Sequence, residues 1–182
     1  LQDKFTMNKV DKKYESVVLE NEYIKVIILP ELRGRIHAAI DKRNGWDFLY
    51  YNHVIKPGDI SVREGWIAGG LEFNHPGGHG YTQFSKISYK IIDESDGGKT
   101  VVVSEYEPVR MMIWQYYITL HPGTLYLETR GKIIATQTFP VQFTSSQNAA
   151  MHATPEMEVI LPEGTHITGH GKKTMLPWPV ID

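Results

Sequence analysis

The stretch that decides the fold is "FSKISYKIIDESDGGKTVVVSEYEP", residues 84–108. Apolar and polar residues alternate on both arms, and Asp96-Gly97-Gly98 separates them. A period of two is the signature of an extended strand with one buried face. Two such runs around a glycine turn read as an antiparallel hairpin. The same grammar continues outward. "MMIWQYYITLHPGTLYLETRGKIIA" (111–135) turns at His121-Pro122-Gly123, and "GRIHAAIDKRNGWDFLYYN" (34–52) turns at Asn44-Gly45. "ESVVLEN" and "YIKVIILP" form a strand pair joined at Asn21-Glu22. "VQFTSSQNAAMHA" and "EMEVILP" are expected as two more strands. No segment of ten or more residues carries a sustained 3.6-residue apolar stripe. The expectation is an all-β protein, an antiparallel β-sandwich, built as one domain over residues 1–182 or as a fragment of one.

Composition narrows the function classes. Hydrophobic residues make up 41% and charged residues 22% of 182 residues, enough for one domain with a sizeable core. Net charge is −2 without a basic stripe, which argues against nucleic acid. No apolar run approaches the roughly 20 residues that span a bilayer, so no membrane partner is expected. The absence of cysteine removes disulfides, zinc-thiolate sites and a thiol nucleophile together, and does not fix the compartment.

Two stretches break the rhythm, residues 53–82 and the tail from Gly164. In an all-β domain, long irregular connections are disproportionately binding loops. The first contains "GGLEFNHPGGHGY" (69–81), which holds an acid, an amide, two histidines and five glycines. Such backbone can turn sharply and let a ligand approach. Glu72, between Leu71 and Phe73, has its carboxylate opposite to both neighbours if the piece is extended. His75 and His79 have i,i+4 spacing, but Pro76 and the glycines argue against a helix, and no third ligand lies nearby; no metal and no cofactor are expected. "TGHGKK" lacks the spacing of a phosphate-binding loop.

With "LPELRGRIHAAIDKRNGWDFLYYN", "GWIAGGLEFNHPGGHG", "QNAAMHATPEMEVILP" and "TGHGKKTMLPWP", the chain resembles the galactose mutarotase-like (aldose epimerase-like) β-supersandwich group. More narrowly, it resembles DUF5107, a bacterial domain often found ahead of tetratricopeptide repeats. The resemblance spans about Asn21 to Pro179. It implies a carbohydrate ligand, and His79 and His152 as candidates for the acid and the anomeric-oxygen contact. Histidine suits proton transfer because its ordinary pKa lies near 6.5. Glu72 is a candidate base. Arg35, Arg63, Trp66, Phe73, Asn74 and His75 are candidate sugar contacts, the arginines as forked donors and the aromatics as stacking platforms.

Two departures qualify the resemblance. The group's full supersandwich is far longer, and its mutarotases carry the general-base glutamate late, beyond Asp182. Arg33 stands where relatives often show Gly. The chain is therefore expected to be the N-terminal part of a longer protein with a C-terminal repeat domain, or to lack that carboxylate. Uncovered strand edges imply self-association. Three readings stay open: an aldose epimerase-like enzyme, a non-catalytic sugar-binding module, or a structural or interaction β-domain of a larger repeat-containing protein.

Overall fold

The computed structural model describes residues 6–60, 65–79, 82–162, 164, 166–167 and 176–177. Where the sequence shows no boundary, the chain falls into two compact units, residues 1–152 and 153–182.

Alternation produces strands throughout the first unit. They are β1 (Val17–Glu20), β2 (Ile24–Leu29), β3 (Arg35–Asp41), β4 (Trp46–Asp47), β5 (Gly58–Asp59), β6 (Gly65–Trp66), β7 (Leu71–Asn74), β8 (Ser88–Asp93), β9 (Lys99–Glu107), β10 (Met112–Leu120), β11 (Glu128–Ala135) and β12 (Ser146–Ala149). One sheet has the order β1-β2-β3-β7-β12, with β4 also paired to β3. The other has the order β11-β10-β9-β8. Every pairing is antiparallel. Among the described residues there is no α-helix, and no helix long and apolar enough to cross a membrane.

The sheets pack face to face. Val26, Ile28, Ile36 and Phe73 from the first meet Val101, Val103, Trp114, Tyr116 and Ile118 from the second in one core. Fully burying each such side chain contributes roughly 1.5–3 kcal/mol. This is the expected antiparallel β-sandwich. A smaller cluster, Leu29, Leu32 and Ile67 with Ile27, Ile55 and Phe84 packed against it, holds the chain just after β6, next to Trp66.

One irregularity matters. Ile28 pairs with Ile36 and Ile27 with Ala38, so His37 is an extra residue, a β-bulge in β3. Ile36 and Ala39 both reach the core on either side of it.

Two expectations are corrected. Residues 141–153 are strand only over β12. "EMEVILP" (156–162), in the second unit, is not a strand: its residues are almost all exposed and no partner strand lies alongside among the described residues. Alternation without a neighbouring ladder leaves backbone groups to water. That unit also contains a two-stranded ribbon, β13 (His166–Ile167) with β14 (Leu176–Pro177).

Candidate functional site

The candidate site grows from β7. Because strand side chains alternate, Phe73 enters the core while Glu72 and Asn74 face the other side of the sheet. Arg35 of β3 and Asn148 of β12 flank Glu72 on that outer face, since Ile36 pairs with Leu71 and Asn148 with Glu72.

Glu72 is a buried hub, 1% exposed. Its Oε1 accepts from His79 Nδ1 at 2.6 Å, from Asn74 Nδ2 at 2.9 Å and from Asn148 Nδ2 at 2.9 Å. Its Oε2 accepts from Arg35 Nη2 at 2.6 Å. Gln83 Nε2 donates to Asn74 Oδ1 at 2.9 Å and to the His79 carbonyl, which orients both. Burial pushes the Glu72 carboxyl up. Hydrogen bonds from Asn74 and His79 and the Arg35 charge outweigh it and hold it below the usual carboxylate range. Burial also draws the Arg35 guanidinium below its usual range, against the pull of Glu72.

With Glu72 ionised, His79 Nδ1 carries the hydrogen of the shared bond. In neutral His79 the lone pair then sits on Nε2, which has no partner among the described residues. The His79 side chain is 30% exposed. Trp66, 44% exposed, stands edge-on with ring centroids 6.4 Å away. A buried, multiply hydrogen-bonded carboxylate thus fixes the ring angle and tautomer of a solvent-reaching imidazole, as carboxylates do behind working histidines elsewhere.

The glycines before the strand are spatially required. Gly69 (φ 97°) and Gly70 (φ 67°) lie in the left-handed region. A Cβ on Gly70 would sit 2.3 Å from the Ile36 carbonyl oxygen. The Gly69 carbonyl accepts from Arg35 Nη1.

Of the expected site residues, Glu72, His79, Arg35 and Asn74 come together and Trp66 stands beside them. Phe73, His75 and His152 do not join. Phe73, 2% exposed, stacks on Tyr116 in the core at 4.2 Å and offers no platform. His75 is fully buried, edge-on to Phe143 at 5.3 Å, with neither ring nitrogen hydrogen-bonded among the described residues. Burial and then the Arg33 charge push its pKa down to about 4, so it is neutral near pH 7. His152 lies elsewhere, its Nε2 donating to the Asp47 carbonyl at 2.8 Å and its ring beside Trp46 and Tyr50. Arg63 lies outside the described residues. Both oxygens of Glu72, expected as a base, already accept from neighbouring side chains, Oε1 from three and Oε2 from Arg35.

Arg33 occupies a left-handed position (φ 58°) and is buried. It donates to the Phe73 and His75 carbonyls at 3.0 and 2.8 Å, pairs with Glu105 at 3.2 Å and lies over Trp114. It holds β7 against the second sheet. Asn148 and Gln83 were not anticipated; opposite-strand register alone reveals Asn148, and a loop contact Gln83.

Among known proteins, the model for a domain of unknown function, DUF5107, matches residues 2–182. The chain belongs to the DUF5107 family. A crystal structure of a TPR-domain containing protein from Parabacteroides distasonis is similar to this DUF5107 chain, with a TM-score of 0.80 and 30% identity. The match covers 88% of this chain and 28% of that one, so the DUF5107 chain spans just over a quarter of its length.

Proposed function

We propose that this is a carbohydrate-recognition domain of the galactose mutarotase-like class, binding a sugar at the outer face of β7. The observation that carries the reading is His79, anchored by Nδ1 to Glu72 at 2.6 Å with Nε2 left unpartnered among the described residues, beside the exposed Trp66. A sugar presents hydroxyls around its rim and a weakly apolar face. One fixed acceptor and one aromatic ring match those two chemistries. The resemblance of the sequence to mutarotase-like proteins supports the same ligand class. In an epimerase version, His79 Nε2 takes the O1 proton while Glu72 holds the imidazole ring, the C1–O5 bond breaks and solvent water gives O5 its proton; reversing the two transfers recloses the sugar on either face of C1.

The test is calorimetric titration of a monosaccharide panel against the wild type and His79→Ala. Loss of the imidazole contact is expected to weaken binding by about 1–3 kcal/mol. Freshly dissolved anomers followed by polarimetry test catalysis separately. No heat with any sugar, or equal affinity in both proteins, overturns the reading.

A second reading, an interaction or structural β-domain of a larger repeat protein, is favoured by the similarity to a TPR-domain containing protein of which this chain spans 28%. Failure of every sugar to bind supports it.

A further inference from the structure

Outside the Glu72 network, exposed aromatic rings gather around a second anchored histidine. Trp46 is 55% and Tyr50 42% exposed. The Trp46 ring lies 4.6 Å from His152, and Tyr50 stands edge-on to the same imidazole at 5.6 Å. Next along the chain, Tyr51 sits 5.3 Å from His37. The Asp47 carbonyl can only accept, so His152 Nε2 carries the hydrogen of their 2.8 Å bond. Neutral His152 then offers Nδ1 as an acceptor. His79 is the converse case, tied by Nδ1 and offering Nε2.

The two neighbourhoods share one backbone clamp. Gly70 N–H donates to the Tyr50 carbonyl at 2.7 Å, Tyr50 N–H to the Ala150 carbonyl at 2.9 Å, and Ala150 N–H to the Gly70 carbonyl at 2.9 Å. Glu72 lies two residues after Gly70 and His152 two residues after Ala150, each at most about 7 Å of chain.

We propose that Trp46, Tyr50 and His152 form a second sugar subsite, so that the ligand of the β7 site is an oligosaccharide. This rests on the carbohydrate reading above. The chemistry is the same in both places: an aromatic face for the apolar side of a pyranose and a fixed imidazole acceptor for a hydroxyl.

The test titrates gluco-, galacto-, manno- and xylo-oligosaccharides of one to four units against the wild type, Trp46→Ala, Trp46→Phe and His79→Ala. Wild-type affinity is expected to rise at least tenfold from one unit to three for the best series. Trp46→Ala is expected to abolish that gain with monosaccharide affinity unchanged, and Trp46→Phe to restore part of it. His79→Ala is expected to weaken every length. Monosaccharide binding without a length-dependent gain, or a gain untouched by Trp46→Ala, overturns this inference and leaves the first reading standing. No binding at any length overturns both. Trp46 is exposed, so its variants test the subsite without dismantling the core.

Discussion

Glu72 and His75 stand three residues apart, are equally removed from water, and have opposite surroundings. Glu72 receives four hydrogen bonds, one from an arginine. His75 has none among the described residues and sits edge-on to a phenylalanine. Burial alone therefore does not mark a functional ionisable group. The carboxylate is kept charged by its donors and stiffens an imidazole at the surface. The buried imidazole is kept neutral by desolvation and behaves as a core ring.

The comparison breaks first at Arg35. Removing one partner of a buried ion pair strands the other charge, so Arg35→Ala is expected to cost about 3–5 kcal/mol in denaturant unfolding. A loss under about 1 kcal/mol would mean that the Glu72 network does not hold β3 to β7. The double variant Arg35→Met/Glu72→Met is expected to cost less than the sum of the single changes.

His75 gives the next effect, through pH. Its folded pKa of about 4 lies below its ordinary 6.5, so the unfolded chain takes up a proton first as pH falls. Its contribution is complete above pH 6.5 and is lost progressively down to about pH 4, about 3 kcal/mol in all. His75→Leu is expected to flatten that slope. An unchanged pH profile would show that His75 is not the buried neutral ring described here. Glu72 acts lower: its depressed pKa contributes stability above about pH 4.5, lost as pH falls through the folded value.

Gly70→Ala sharpens the contrast further, with an expected loss of about 2 kcal/mol from the left-handed φ and the Ile36 carbonyl in its way. Thermal melting at fixed pH measures it, and a neutral outcome would mean that the clamp at Tyr50 relaxes freely. His79→Ala is the smallest change in stability, about 1 kcal/mol, because Glu72 keeps its other donors. A much larger drop in melting temperature would make His79 a structural strut and remove it as a ligand contact.

The hairpins were legible because alternation and turn glycines are local. Trp46 and Gly45 in one, Gly97 in another, fall where the sequence puts them. The site was legible only in part. The alternation already set Glu72 opposite to Phe73, yet the cluster of glycines and aromatics drew Phe73 and His75 into one site with it. Asn148 is two strands' worth of register away from recognition, since its meeting with Glu72 depends on β12 pairing with β7. His152 reads as a strand histidine but falls just past β12, where its position is set by a carbonyl on β4. Long-range pairing, not residue type, decides these cases.

The extra residue at His37 puts β3 out of phase with itself. Residues before it keep one parity, with Arg35 outward to Glu72 and Ile36 inward; residues after it keep the other, with Ala39 inward beside Val26. The face that carries Glu72 and the hairpin that carries Trp46 are thereby in separate reading frames of the same strand. Length changes within residues 42–45 leave the frame of Arg35 intact. Deleting His37 merges the frames, and either Arg35 must turn into the apolar interior or Ala39 out of it.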